Sequence, residues 1–237
     1  MSAETWDSIA DWYAEKLRSG SALHDFARDL LLDALPGDLT GHGVLDVGCG
    51  EGIITRAVAA RGAASHGIDP SERLIEYARA AEKARPAGVK YAVDDGRTLA
   101  TIADASMDWV TAGLAYNNVP DLPAAFAAAR RVLKPGGGLA FTVPHPCFEA
   151  PRASWTPDGQ RLVGDYLDEG FWRSANATGV RRAGNQHRTI ASYAMGLVMC
   201  GFTIDLVSEP APNARILAEQ PRRAGLPPFL LIAARMG

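Results

Sequence analysis

A chain of 237 residues that is 47% hydrophobic and 22% charged has the balance of a water-soluble α/β protein, which argues against a disordered or membrane-spanning class. Its formal net charge of −3 gives no general basic field for nucleic-acid phosphates, and Arg181-Arg182 and Arg222-Arg223 read as solvated surface pairs. Cys49, Cys147 and Cys200 lie far apart and leave one unmatched in any disulfide scheme. A reducing cytoplasm is the expected setting, with no signal core, membrane span or metal-ligand spacing in the sequence.

Trp6, Ile9, Ala10, Tyr13 and Leu17 share one helical face, and Leu23, Phe26, Ala27, Leu30, Leu31 and Ala34 form a second before Pro36-Gly37. From Gly43 strand and helix patterns alternate, which predicts a parallel sheet with helices on both faces. Strands are expected at 43–47, 64–68, 89–93, 107–113 and 139–143. Between them a helix runs over about 52–61, a second opens on Ser71 as cap with Leu74, Ile75, Ala78 and Ala81 inward, and a third runs from Leu122 to Leu133. Lys134-Pro135-Gly136-Gly137-Gly138 reads as its stop signal. From Glu149 to Gln186 periodicity fails while Trp155, Tyr166, Phe171 and Trp172 persist, so an ordered cap is expected over the acceptor pocket. A helix over 190–198, stopped by Gly201, and strands at 202–207 and 229–234 complete the chain.

The chemistry centres on Val44-Leu45-Asp46-Val47-Gly48-Cys49-Gly50-Glu51-Gly52, a strand, tight turn and helix start. Glycines there let the main chain approach a bound molecule at a helix N-terminus. The dinucleotide fingerprint is G-x-G-x-x-G with a pyrophosphate at that position. Here the spacing is G-x-G-x-G, and Asp46 stands two residues before Gly48. A carboxylate at the mouth repels a pyrophosphate and attracts a sulfonium or ammonium, while Asp69, ending the next strand, suits a ribose diol. The signs favour a cationic nucleoside.

On these residues the chain resembles the class I S-adenosylmethionine-dependent methyltransferases. "VLDVGCGEG", "GIDPS", "VDDG" and "RVLKPGGGLAFTVPHP" match that family's successive motifs in order, and "ADWYAEKL", "YNNVPDL", "HPCFEAP" and "PPFLLIAAR" look like a small-molecule branch of it. The resemblance implies one domain over 1–237: a Rossmann-like, seven-stranded, mostly parallel sheet with a C-terminal antiparallel hairpin, N-terminal lid helices (about 5–35) and a cap insertion (about 149–187). It implies S-adenosylmethionine as cofactor and S-adenosylhomocysteine as product. The implied cofactor set is Tyr13, Asp46, Gly48, Cys49, Gly50, Gly52, Asp69, Pro70, Asp94, Asp95, Gly96 and Leu114, with Asp95 beside the adenine amino group. Cys49 also reads as a small residue filling a tight turn.

The loop after the fourth strand borders the crevice where ligands lie in open α/β sheets, so Tyr116 and Asn117 are candidate substrate-binding residues. It holds neither histidine nor acid at 117 or 118. Of five histidines, His24, His42 and His66 suit structural roles, whereas His145 and His187 border the acceptor side and are the candidate bases, His145 also touching substrate. The expected reaction is methyl transfer to a small molecule, oxygen ahead of nitrogen or carbon. A protein of this fold that binds cofactor without transferring methyl stays an alternative. Expected partners are a small acceptor without nucleic acid or membrane, in a monomer or homodimer.

Overall fold

The computed structural model describes residues 6–174 and 180–237. The first residue of the expected lid and residues 175–179 of the expected cap lie outside the described residues. The elements are α1 (Ala10–Arg18), α2 (Ala22–Asp33), β1 (Gly43–Val47), α3 (Ile53–Ala59), β2 (Ala64–Asp69), α4 (Glu72–Ala84), β3 (Lys90–Val93) and β4 (Met107–Gly113). They continue as α5 (Leu122–Val132), β5 (Leu133–Pro144), β6 (Ser154–Trp155), β7 (Arg161–Leu162), β8 (Gly170–Trp172), β9 (Asn185–His187), α6 (Ile190–Met199), β10 (Phe202–Ser208), α7 (Ala214–Glu219) and β11 (Phe229–Met236).

Seven strands form one sheet in the order β10-β11-β5-β4-β1-β2-β3. The five from β5 to β3 are parallel, and β11 runs antiparallel between β5 and β10. The expected sheet and C-terminal hairpin are therefore both present. Strand order reverses between β1 and β4, so their carboxyl ends open a crevice there.

Local chemistry explains the helix starts. Ser71 Oγ accepts from the Leu74 amide at 3.2 Å and Asp121 Oδ1 from the Ala124 amide at 3.0 Å. The alternation of β1 sends Leu45 and Val47 into the core under α5 and α6, with Phe126, Phe141, Tyr193 and Leu230. Val44 goes to the opposite face with Leu35, Leu39 and Val58, beneath α2 and α3.

The largest boundary difference from expectation is at β5. Lys134 to Gly138 continues into β5, pairing Gly138 with Trp109 of β4. A Cβ at Gly138 would lie 2.4 Å from the Trp109 ring, so the glycine makes room for that indole against the strand.

The N-terminal helices are tied over the crevice. The Ser71 hydroxyl donates to the Asp7 carboxylate, and Asp11 accepts from Arg73 at 2.9 Å and from Tyr77 at 2.7 Å. From the other side, β6–β7 and β8–β9 form two short antiparallel hairpins. The Gln186 amide donates to the Asn117 carbonyl at 2.6 Å, and Arg188 donates to the carbonyls of Tyr116 at 3.1 Å and Pro120 at 2.9 Å. The Arg182 guanidinium lies 4.2 Å from the Trp12 ring centre, so the two coverings meet. Among the described residues no helix is long and apolar enough to cross a membrane, and no group of three His, Cys, Asp or Glu is placed to hold a metal.

Candidate active site

The turn after β1 needs its glycines. Gly48, Gly50 and Gly52 have φ of +69°, +54° and +88°, which side-chain-bearing residues rarely adopt. A Cβ on Gly48 would sit 2.5 Å from that of Ala115, and one on Gly52 would strike the Tyr91 hydroxyl at 2.2 Å. The Gly50 amide donates to Asp69 Oδ2 at 3.0 Å and the Ser71 amide to Oδ1 at 2.9 Å. Both Asp69 oxygens are thus oriented and keep further lone pairs. Burial pushes this carboxyl up to about 6, against those two amides.

A cavity of about 210 Å³ lies over the turn, lined by Trp6, Tyr13, Val47, Gly48, Gly50, Asp69, Pro70, Leu74, Asp95, Gly96, Arg97, Gly113, Leu114, Ala115, Asn118, Val119 and Pro120. Tyr13 and Trp6 pack edge-to-face at 5.3 Å as its roof. Burial and the nearby Asp69 and Glu51 carboxylates push the Tyr13 hydroxyl far up, so it stays protonated. At the other end Asp95 pairs with Arg97 at 2.5 Å, and those hydrogen bonds hold its carboxyl below its ordinary range. The only guanidinium lining this cavity, among the described residues, is already committed to a carboxylate. A pyrophosphate would meet acid here, whereas a nucleoside carrying positive charge meets complementary groups.

Trp6, Tyr13, Leu114 and Asn118 also line a second chamber of about 110 Å³. Leu23, His24, Asn117, Pro144, Glu149, Arg181, Asn185, Arg223 and Phe229 contribute to its wall.

Comparison with known proteins agrees with this geometry. A family model described as a methyltransferase domain matches residues 45–141. The solved S-adenosylmethionine-dependent methyltransferase from Mesorhizobium loti is 30% identical, superposes with a TM-score of 0.74, and is covered over 99% of its length by 92% of this chain. The chain belongs to the class I S-adenosylmethionine-dependent methyltransferases. It is also similar to the ubiquinone biosynthesis O-methyltransferase of Neisseria meningitidis, 38% identical over 138 residues, and to that of Idiomarina loihiensis, 41% identical over 106 residues. Those alignments cover 56% and 44% of this chain, but only 58% and 43% of the curated relatives' own lengths.

The residues present fit the methyltransferase cofactor. A cradle that side chains at 48 or 52 would fill, a doubly oriented Asp69 for a diol and Asp95 across the cavity are what S-adenosylmethionine requires. Of the sequence-derived cofactor set, Tyr13, Gly48, Gly50, Asp69, Pro70, Asp95, Gly96 and Leu114 line this cavity, Leu114 with a strained φ of +56°.

Four others support it from outside. Asp46 does not face the ligand: it is 1% exposed beneath the turn, accepting from Thr55 Oγ1 at 2.7 Å and Thr111 Oγ1 at 3.1 Å. It joins β1 to α3 and β4, and burial pushes its carboxyl up to about 7, so the attraction for a cation falls to Asp69, Asp95 being paired with Arg97. Asp94 accepts from the amides of Asp95 at 2.7 Å, Ala100 at 3.2 Å and Thr101 at 2.8 Å, organising the turn that presents Asp95. Cys49 fills space against Gly67, with burial pushing its thiol well up, and Gly52 abuts Tyr91.

On the acceptor side three expectations need correction. Tyr116 is fully buried between Phe126 and Phe141, each 5.3 Å away, and lines neither cavity. His145 is 1% exposed, with Nε2 bonded to Glu209 Oε1 at 2.6 Å and Nδ1 accepting from the Cys147 amide at 3.3 Å. Both ring nitrogens are committed: Nε2 joins the ends of β5 and β10, and Nδ1 closes the turn after β5. His187 donates from Nε2 to the Tyr166 carbonyl at 2.8 Å and borders a small gap behind Asn117 and Glu149, not the chamber itself.

Asn117 does line the chamber, and its orientation follows from a chain of bonds. Asn118 Nδ2 donates to the Leu114 carbonyl at 3.0 Å, which turns Asn118 Oδ1 toward Asn117 Nδ2 at 3.1 Å. Asn117 Oδ1 is left buried without a partner among the described residues. His24, expected to be structural, also lines the chamber, packing edge-to-face on Tyr13 at 5.6 Å with Nδ1 2.7 Å from Ser21 Oγ. Its helical spacing with buried Ala27 and Leu31 was the available signal. Burial pushes this imidazole down to about 4, so it is neutral at physiological pH.

Proposed function

We propose that this chain methylates a hydroxyl group on a small molecule held in the second chamber. The observation that supports the reading is the shared wall: the cavity that fits the cofactor adjoins, across Leu114 and Asn118, a chamber lined by Asn117, whose buried Oδ1 has no partner among the described residues. When bound, S-adenosylmethionine supplies a methyl on a positively charged sulfur, already activated for in-line displacement.

The chain's own residues then have to orient and exclude. An acceptor O–H that donates to Asn117 Oδ1 turns its oxygen lone pairs away from that bond and satisfies a buried group that otherwise carries a desolvation cost of about 1–3 kcal/mol. Trp6, Tyr13 and the cap keep water out, which favours placement over base strength as the source of rate. A buried imidazole pushed down to about 4, as His24 is, binds protons too weakly to ionise an ordinary hydroxyl beforehand. His24 therefore serves as a neutral wall and hydrogen-bonding partner. As the new O–C bond forms the C–S bond breaks, S-adenosylhomocysteine is the leaving group, and the acceptor's proton, by then on a strongly acidic oxygen, passes to solvent as the products leave. An amine would satisfy Asn117 equally; the curated relatives, named for O-methyl transfer, tip the reading to oxygen.

The test is a transfer assay with methyl-labelled S-adenosylmethionine and a panel of small alcohols, phenols and amines, beside bulk protein and RNA. The expected result is label in a small hydroxyl compound, and a fall in kcat of about 10-fold or more in Asn117→Ala with unchanged affinity for S-adenosylhomocysteine. Label only in protein or RNA, or in amines alone, would overturn it.

A further inference from the structure

We propose that the chamber takes the carboxylate of a small, single-ring hydroxy acid on Arg223 and Arg181. The inference rests on the acceptor reading above and narrows it to a substrate class.

The motivating feature is an imbalance of buried charge. Glu149, 8% exposed, meets three guanidiniums: Arg181 at 2.5 Å, Arg223 at 2.8 Å and Arg161 at 3.8 Å. One carboxylate cannot neutralise three cations, so among the described residues the cluster carries an excess of two positive charges. Burial alone would raise the Glu149 carboxyl, yet Arg181 and Arg223 hold it below its ordinary range. The Arg161 guanidinium is in turn disfavoured by burial and by its two cationic neighbours. Further anionic charge would stabilise such a cluster, because Arg181 and Arg223 are largely removed from water, their side chains 27% and 15% exposed.

The excess faces the chamber. Arg181 and Arg223 both line it, Glu149 is its only lining carboxylate among the described residues, and its other polar wall groups include the neutral amides of Asn117 and Asn185. Guanidinium forks match planar carboxylates in paired hydrogen bonds. The chamber's size, about 110 Å³, is on the scale of a cavity that takes up one benzene ring, about 150 Å³. Trp6, Leu23 and Phe229 give it an apolar side for such a ring. A compact planar anion therefore suits it better than a phosphate ester. The carboxylate would sit at the arginine end while the hydroxyl reaches Asn117.

The experiment is calorimetry on protein saturated with S-adenosylhomocysteine, titrated with matched acid and amide pairs: 4-hydroxybenzoate with 4-hydroxybenzamide, and benzoate with benzamide, beside phenyl phosphate. At least one acid is expected to bind 10-fold or more tightly than its amide. That preference should fall at least 10-fold in Arg223→Gln and be partly restored in Arg223→Lys. Cofactor affinity should not change, since Arg223 does not line the cofactor cavity. No acid preference in the wild-type protein, or a preference indifferent to Arg223→Gln, would overturn the inference, as would selective capture of phenyl phosphate. Loss of S-adenosylhomocysteine binding by folded wild-type protein would instead sink the cofactor reading beneath it.

Discussion

The two cavities are built by different means. The cofactor cavity is largely backbone work drawn from β1 to the loop after β4: three left-handed glycines, two amides on Asp69 and a turn held by Asp94. The acceptor chamber is side-chain work drawn from both ends of the chain, bringing His24, Asn117, Glu149, Arg181 and Arg223 to one place. Backbone-made sites need particular residues at short fixed spacings, whereas side-chain networks need only that partners meet in space. The first kind leaves a local pattern; the second leaves isolated charges that look like surface.

The contrast breaks most directly at Gly48. Gly48→Ala adds a Cβ 2.5 Å from Ala115 and imposes a side chain on a φ of +69°. The turn must move, and affinity for S-adenosylhomocysteine is expected to fall about 100-fold or more, roughly 2.7 kcal/mol or above. Calorimetry measures it; an unchanged affinity would show that the cradle is not backbone-made.

A middle-sized effect should come from Asp69, through pH. Its carboxyl, pushed up to about 6 by burial, must be ionised to accept from a diol without donating itself. Below pH 6 affinity for S-adenosylhomocysteine should fall by up to about 10-fold per pH unit, and Asp69→Asn should be weak and flat across that range. The ligand-free protein should show the opposite sign. A folded-state value raised above the unfolded one gives stability present below about pH 4 and lost as pH rises through about 6. Thermal scans and calorimetry across pH 4.5–8 separate the two trends, and a pH-independent affinity would remove Asp69 from ligand contact.

Much of the fold was legible because the alternation of strand and helix patterns is regular; β1 and β4 begin and end where the pattern puts them. The misses have physical reasons. The run Gly136-Gly137-Gly138 carries a stop signal, but the glycine at 138 is there to admit Trp109 against β5. Asp46 invited a direct role, although strand alternation already placed it with Val44 on the α3 side, away from Val47, which lines the cavity. Arg181 and Arg223 read as solvated because each is followed or preceded by another arginine. Their partner Glu149 lies far off in sequence, and only the folded chain reveals the three together. His145 sits at a ligand-side strand end, where an imaginary base is easily placed, but Glu209 at the end of β10 claims its ring.

Tyr116 gives the smallest and sharpest test. It stands beside Asn117 in the turn after β4, yet its ring goes into the core while Asn117 lines the chamber. Its ring is clamped by Phe126 and Phe141, and its buried hydroxyl has no partner among the described residues. Removing that oxygen while keeping the ring leaves the packing intact and ends the cost of an unsatisfied polar group. Tyr116→Phe should therefore raise Tm by about 2–4 °C, the equivalent of roughly 1 kcal/mol in a protein of this size. Acceptor KM and S-adenosylhomocysteine affinity should stay within about 2-fold of wild type, the change expected when no ligand contact is lost. A raised KM at unchanged Tm would return Tyr116 to the site, and the division of labour between the two neighbours would be reversed.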